Sequence, residues 1–121
     1  MKSGLCLRNV TRGTTLATNL AIAETWAERG QGLLGRCRLK SGEGLLITKC
    51  RSVHMWFMRF AIDVIFLDQS SRVVWQREAL RPWQISPIIW AASSCAELPT
   101  GTIASTRTQL GDQLQLDSSG T

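Results

Sequence analysis

Apolar and polar residues alternate over 5–10 and again over 16–23, on either side of Arg12-Gly13. In the second run Leu16, Leu20 and Ile22 share one parity with Thr18 between them, the pattern of a half-buried strand. Thr25 is followed three residues later by Glu28, a capping-box spacing, and this predicts a helix over 26–34. Trp26 and Leu33 fall at helical spacing there, and Gly35 sits where a terminating glycine belongs. Ser41-Gly42-Glu43-Gly44 reads as a turn into a short strand at 45–48. The runs 53–59 and 62–68 are dense in β-branched, aromatic and Met residues and read as strands. Gln69-Ser70-Ser71 then connects tightly to a strand at 72–79, which predicts a hairpin around 68–72. Pro82 and Pro87 argue against a regular element between 81 and 93. A short strand at 95–98 stopped by Pro99, a helical turn at 102–108 and a last strand at 113–116 follow. Leu114 and Leu116 share one side of that last strand, and 117–121 is a polar tail. Seven or eight short strands with one or two short helices, and no regular α/β alternation, imply a mainly β (α+β) fold. The expected form is a small closed or half-closed β-barrel with the helix covering one opening.

A chain of 121 residues is most simply one domain, and it can build a core without disulfides or metal as staples. Charged residues make up only 19%, too few for a disordered chain so rich in Trp and Leu. No apolar run approaches the roughly 18 residues of a spanning helix. The first residues are interrupted by Arg8 and Arg12 and lack the apolar stretch of a secretory signal, so a cytoplasmic location is expected. Cys6, Cys37, Cys50 and Cys95 lie far apart with no CxxC pair, which favours reduced, mostly buried thiols. Cys37, Cys50 and His54 lack a fourth ligand at zinc-motif spacing, so no metal is expected. No phosphate-cradling loop occurs, and no cofactor is implied.

Charge sharpens the picture. Residues 29–59 carry Arg29, Arg36, Arg38, Lys40, Lys49, Arg51 and Arg59 against the single acid Glu43, a local excess of +6 in a chain whose net charge is +5. Arg outnumbers Lys 11 to 3, and guanidinium grips carboxylate or phosphate bidentately. An anion-binding surface is one reading, and a solvated face with a few ion pairs is the other. His54, Trp56, Phe57 and Phe60 interleave with Arg51 and Arg59, as in stacking platforms for nucleic acid. The same alternation also suits a core, and no helix-turn-helix, RNP-type or zinc-finger pattern is present.

Asp63 lies among apolar residues in the second of the central runs, and a buried carboxylate needs a partner. Arg36, His54 and Arg59 are the candidates. If 53–59 is a strand, His54, Trp56 and Met58 share one face while Met55, Phe57 and Arg59 share the other. One face would then line the core, and the other could line a pocket.

In chain order the sequence has Glu28-Arg29-Gly30-Gln31-Gly32-Leu33-Leu34-Gly35-Arg36 and Gly42-Glu43-Gly44-Leu45-Leu46-Ile47. Next come His54-Met55-Trp56-Phe57-Met58-Arg59 and Ile62-Asp63-Val64-Ile65-Phe66-Leu67-Asp68. Glu97-Leu98-Pro99-Thr100-Gly101 and Gly111-Asp112 close the series. Over about 16–116 this order resembles the family called domain of unknown function 192. Ala61-Ile62 stands where the family often has Pro-Leu, and Gln69-Ser70-Ser71 where it often has an Asp-Gly turn. Ser94-Cys95-Ala96 stands where larger apolar residues are usual. The resemblance implies a mostly β domain with a helix and carries no established activity. Some relatives look exported or lipid-anchored.

Three functions follow. The first is a non-catalytic binding module for an anionic small molecule or an acidic protein surface, with Arg36, His54, Trp56, Arg59 and Asp63 as ligand-binding residues and Trp83 and Trp90 nearby. Its alternative is nucleic-acid binding through the basic segment 29–59. The second is an enzyme in which Cys50 is nucleophile, His54 base and Asp63 the orienting acid. In one extended strand, Cys50 and His54 would lie about 13 Å apart, so that arrangement requires a bend at Ser52. The third is an assembly role through the uncharged, Trp-bearing stretch 82–96.

Overall fold

The computed structural model describes residues 1–118; of the polar tail, 119–121 lie outside the described residues. Seven strands and two short helices follow in the order β1 (Lys2–Asn9), β2 (Thr14–Ala23), α1 (Trp26–Gln31), β3 (Glu43–Thr48), β4 (Ile62–Leu67), β5 (Val73–Leu80), β6 (Ser94–Pro99), α2 (Thr102–Thr106) and β7 (Leu114–Ser118). The strands form one sheet in the order β5-β4-β6-β3-β2-β1-β7. Neighbours run antiparallel except β2 and β3, which are parallel. A parallel pair cannot be joined by a tight turn, and α1 sits in the long connection between them.

The sheet curls until its two edge strands meet at one end. Arg72 bridges Gln113 there, the Val73 N–H donates to Asp112 O at 2.9 Å, and the Leu114 N–H donates to Ser71 O at 2.9 Å. The fold is thus a mainly β half-barrel with two helices, as the patterning implies. The turn between β4 and β5 closes through the Asp68 carboxylate, which accepts from the Ser70 and Arg72 N–H groups at 2.8 and 3.0 Å. This is the hairpin read from 68–72.

Strand parity divides the apolar residues into two cores. Leu7, Leu16, Leu20, Leu46, Ile65, Leu98 and Leu114 fill the inside of the curl. Leu45, Ile47, Val64, Phe66 and Cys95 point outward and pack beneath Leu33, Val53, Met55 and Ala92. All six residues of β4 are buried, so the strand reads as a continuous apolar run. Asp63 is the exception within it. Its carboxylate is fully buried and accepts from the Ala79 N–H and from the Ile103 N–H at the start of α2, both at 2.9 Å. Ala79 lies at φ +50°, where the β4–β5 register shifts. The bulge frees an N–H that would otherwise be orphaned, and Asp63 satisfies it.

Two expected elements differ. Residues 53–59 are not a strand. Val53 and Met55 point inward and His54 and Trp56 outward, but Phe57 at φ +65° breaks the alternation. The segment is a strap whose backbone groups pair with a second loop instead: Met55 N–H to Gln84 O at 2.7 Å, Trp83 N–H to Met55 O at 2.8 Å and Ser86 N–H to Val53 O at 2.8 Å. Helix α1 has the predicted capping box, with Thr25 Oγ1 accepting from the Glu28 N–H at 3.1 Å. It ends at Gln31 because Gly32, at φ +50°, stops it before Gly35. None of its residues is buried.

Asp63→Ala leaves the buried Ile103 N–H and the part-buried Ala79 N–H without an acceptor, and the first loss alone costs about 1–3 kcal/mol. Urea unfolding at neutral pH is expected to show a loss of about 2 kcal/mol or more. A loss below about 1 kcal/mol would mean that the bulge and α2 hold without the carboxylate.

Candidate functional site

The outer face of β3, β6 and β4 forms the floor of a small site. On β6, Cys95 and Glu97 share outward parity. Glu97 is flanked across the ladders by Leu45 on β3 and Val64 on β4, and Cys95 by Ile47 and Phe66. The end of α1 and the strap roof this floor and leave a cavity of about 100 Å³ bounded by Gly30, Gly32, Cys50, His54, Met58 and Glu97. Gly32 lies over the acid with room to spare: a Cβ there would stand 4.0 Å from Glu97 Oε1, an ordinary contact.

Glu97 is 6% exposed and, among the described residues, its carboxyl makes no hydrogen bond. Burial among apolar neighbours, reinforced by Cys50, pushes its pKa up to about 8, so the group is mostly protonated at neutral pH. Cys50 moves the opposite way. A hydrogen bond from the Cys95 thiol outweighs burial and, with the Ser52 backbone and the charge of Arg29, lowers the Cys50 pKa to about 7. As a neutral thiol it donates to Ser52 O at 3.2 Å. Cys95, fully buried, is pushed well above the ordinary thiol range by burial first and then by Cys50 and Glu97. All four cysteines are free.

The cavity opens along Cys50 and Arg29 into a hollow of about 280 Å³ that also takes in Trp26, Lys49 and Arg51. Lys49 and Arg51 in turn border a wide, shallow concavity of about 790 Å³ reaching Trp90 and the Asp68–Ser70 turn. The Arg29 guanidinium lies 5.5 Å from the centre of the Trp26 ring, and that of Arg51 lies 6.0 Å from Trp90. Both rings are open to solvent, at 86% and 73% exposure. Among the described residues Arg29, Lys49 and Arg51 belong to no ion pair, whereas Arg8, Arg12 and Arg36 do. The carboxylate of Asp68, the acid on this path, is engaged by its own turn.

Of the residues singled out in the sequence, His54 and Trp56 come together, their rings 5.1 Å apart, with His54 on the cavity rim. The other three are held elsewhere. Arg36 pairs with Glu43 at 3.1 Å, Arg59 Nη1 donates to Cys37 Sγ at 3.5 Å, and Asp63 faces the inside of the curl. Cys50 and His54 border one cavity because the strap bends, but Asp63 is across the sheet from both. Arg29, Lys49 and Arg51 belong to the basic segment read from the sequence, which does not single them out within it, and the neighbours that sequence reasoning passed over are Glu97 and Trp26. Glu97 carried a signal, as a lone acid sharing parity with a buried cysteine in an apolar strand. Trp26 carried none, since an aromatic in the first turn of a short helix reads as core.

Among the described residues no helix is long and apolar enough to cross a membrane. The curled, seven-stranded sheet with a roofed outer face defines a class of small β half-barrel proteins. The family model DUF192, described as "Uncharacterized ACR", matches residues 8–116, and the chain belongs to that family. A relative from Pyrococcus furiosus, a UPF0127 protein, is 34% identical over 110 residues, which cover 88% of this chain and 94% of that one. Two crystal structures share the fold. A protein of unknown function from Novosphingobium aromaticivorans has a TM-score of 0.79 at 21% identity, covering 92% of this chain and 82% of its own. A protein from Sinorhizobium meliloti, named as a candidate transcription regulator, has a TM-score of 0.74 at 24% identity, covering 95% and 93%.

Glu97 makes stability depend on pH with a fixed sign. The folded state keeps the proton up to about pH 8, whereas the ordinary value is 4.5. Raising the pH between these values therefore drains stability, by up to about 1.4 kcal/mol per unit. Urea unfolding of the wild type from pH 5 to 7 is expected to show this fall, and Glu97→Gln is expected to flatten it. Equal slopes for the two proteins would mean that the acid ionises normally.

Proposed function

We propose that this domain is a non-catalytic binding module whose groove beside α1 takes an anionic small ligand with a flat apolar part. The observation that carries the reading is the continuity of the groove with Arg29, Lys49 and Arg51, three cations without ion-pair partners among the described residues. Clustered unpaired cations focus a field that draws anions from solution. Trp26 and Trp90 supply exposed aromatic faces next to guanidinium groups, where a ring of the ligand can stack and its charge be met at once. His54 borders the inner end, with the Trp56 ring beside it. The basic groove matches the excess of positive charge over 29–59, although its cations are Arg29, Lys49 and Arg51 rather than Arg36 and Arg59. The reading sets the domain in the cytoplasm, where four free thiols stay reduced.

Nucleic acid is the second reading, since exposed tryptophans beside arginines also stack bases. It draws on the name given to the Sinorhizobium protein, whose likeness is one of fold.

8-Anilinonaphthalene-1-sulfonate, an aromatic anion, is a suitable probe. Its fluorescence titration is expected to weaken about tenfold with Arg51→Ala and with Trp90→Ala. Arg8→Ala, whose guanidinium pairs with Asp117 far along the chain, should leave it unchanged. Insensitivity to both groove substitutions would sink the reading. Displacement of the probe by a short oligothymidylate, with a steep salt dependence, would favour nucleic acid instead.

A further inference from the structure

The inner end of the groove holds chemistry that anion binding does not use. Cys50 borders the small cavity and the basic hollow at once. Behind it, the fully buried Cys95 belongs to the apolar cluster against which Cys50 packs. Their backbones are tied nearby, because the Cys50 N–H donates to Ser93 O and Ile47 pairs with Cys95. Glu97 is more than nine-tenths buried, makes no hydrogen bond among the described residues, and faces the same cavity. A buried acid without a partner is costly; here its place is beside two thiols.

We propose that Cys50, Cys95 and Glu97 form a thiol–disulfide exchange site for small anionic disulfides. Cys50, the partly exposed sulfur, is the attacking group, and Cys95, closed off from solvent, is the resolving one. The Cys50 thiolate attacks one sulfur of the disulfide RSSR, forming Cys50–S–SR. The departing RS⁻ takes the proton of Glu97 and leaves as RSH. The Glu97 carboxylate then removes the Cys95 proton, and the Cys95 thiolate attacks the Cys50 sulfur and expels RS⁻. The protein is oxidised by two electrons to the Cys50–Cys95 disulfide, RSSR is reduced to RSH and RS⁻, and Glu97 ends protonated as it began. Arg29, Lys49 and Arg51 surround the approach to Cys50, which selects disulfides carrying negative charge and lowers the barrier to thiolate attack. This charge preference rests on the anion-binding reading; the exchange itself does not.

The test mixes reduced protein with oxidised glutathione, which is anionic, or with neutral 2-hydroxyethyl disulfide, and follows the products by intact mass and peptide mapping. The wild type is expected to lose the Cys50 and Cys95 thiols together to an internal disulfide. Cys95→Ser should stop at a mixed disulfide on Cys50, and Cys50→Ser should leave Cys95 reduced. Glu97→Gln, which cannot release a proton, should slow both disulfides by about tenfold at pH 7 and remove the corresponding limb of the pH–rate profile. Arg29→Ala should slow glutathione about tenfold relative to the neutral disulfide. If Cys50 reacts no faster than the exposed Cys37, the exchange site is overturned. Equal rates for the two disulfides overturn its anionic selectivity. Cys50→Ser retains the three cations, so its sulfonate-probe titration tests the groove apart from the thiol.

Discussion

The central constraint is the complete covering of β4 and the close covering of β6 on both faces. Water is excluded from the middle of the sheet, so any polar group placed there must find a protein partner or lose its charge. The molecule contains both outcomes on adjacent strands. Asp63 turns into the curl and receives two backbone N–H groups. Glu97 turns outward between Leu45 and Val64, receives none among the described residues, and keeps its proton. The first carboxylate holds the bulge of β5 and the start of α2 in place. The second gives the cavity its chemistry.

Much of the fold is legible in the sequence because it depends on short-range signals. The parity of Leu16, Leu20 and Ile22, the Thr25–Glu28 capping box and the Asp68 turn each act within a few residues, and each is found as read. The strap at 53–59 is misread for a physical reason. Its first residues alternate like a strand, and its aromatic content suits one, but the hydrogen-bonding partner is a loop rather than a ladder. Local pattern carries no information about which distant segment supplies the acceptors.

The site is less legible, again for reasons of distance. Charge over 29–59 is visible, but which cations remain unpaired is decided by where Glu43 falls in space. Arg36 meets Glu43 only seven residues away, which removes it from the free set, while Arg29 and Arg51 have no such neighbour. Asp63 is correctly seen as buried and in need of a partner; the partners are backbone amides, which no side-chain pattern announces. Cys50 and Glu97 lie 47 positions apart along a chain of 121, and only the pairing of β3 with β6 brings them to one cavity.

The outer layer of α1, the strap and the loop after β5 is held to the sheet by its own small core and by loop-to-loop hydrogen bonds. The curl itself closes elsewhere, at the junction of residues 71–73 with 111–114. Closure and chemistry are therefore separable. Substitutions in the roof can reshape what the groove accepts while the barrel seam stays intact, so one scaffold of this kind can serve unlike ligands without being refolded around each of them.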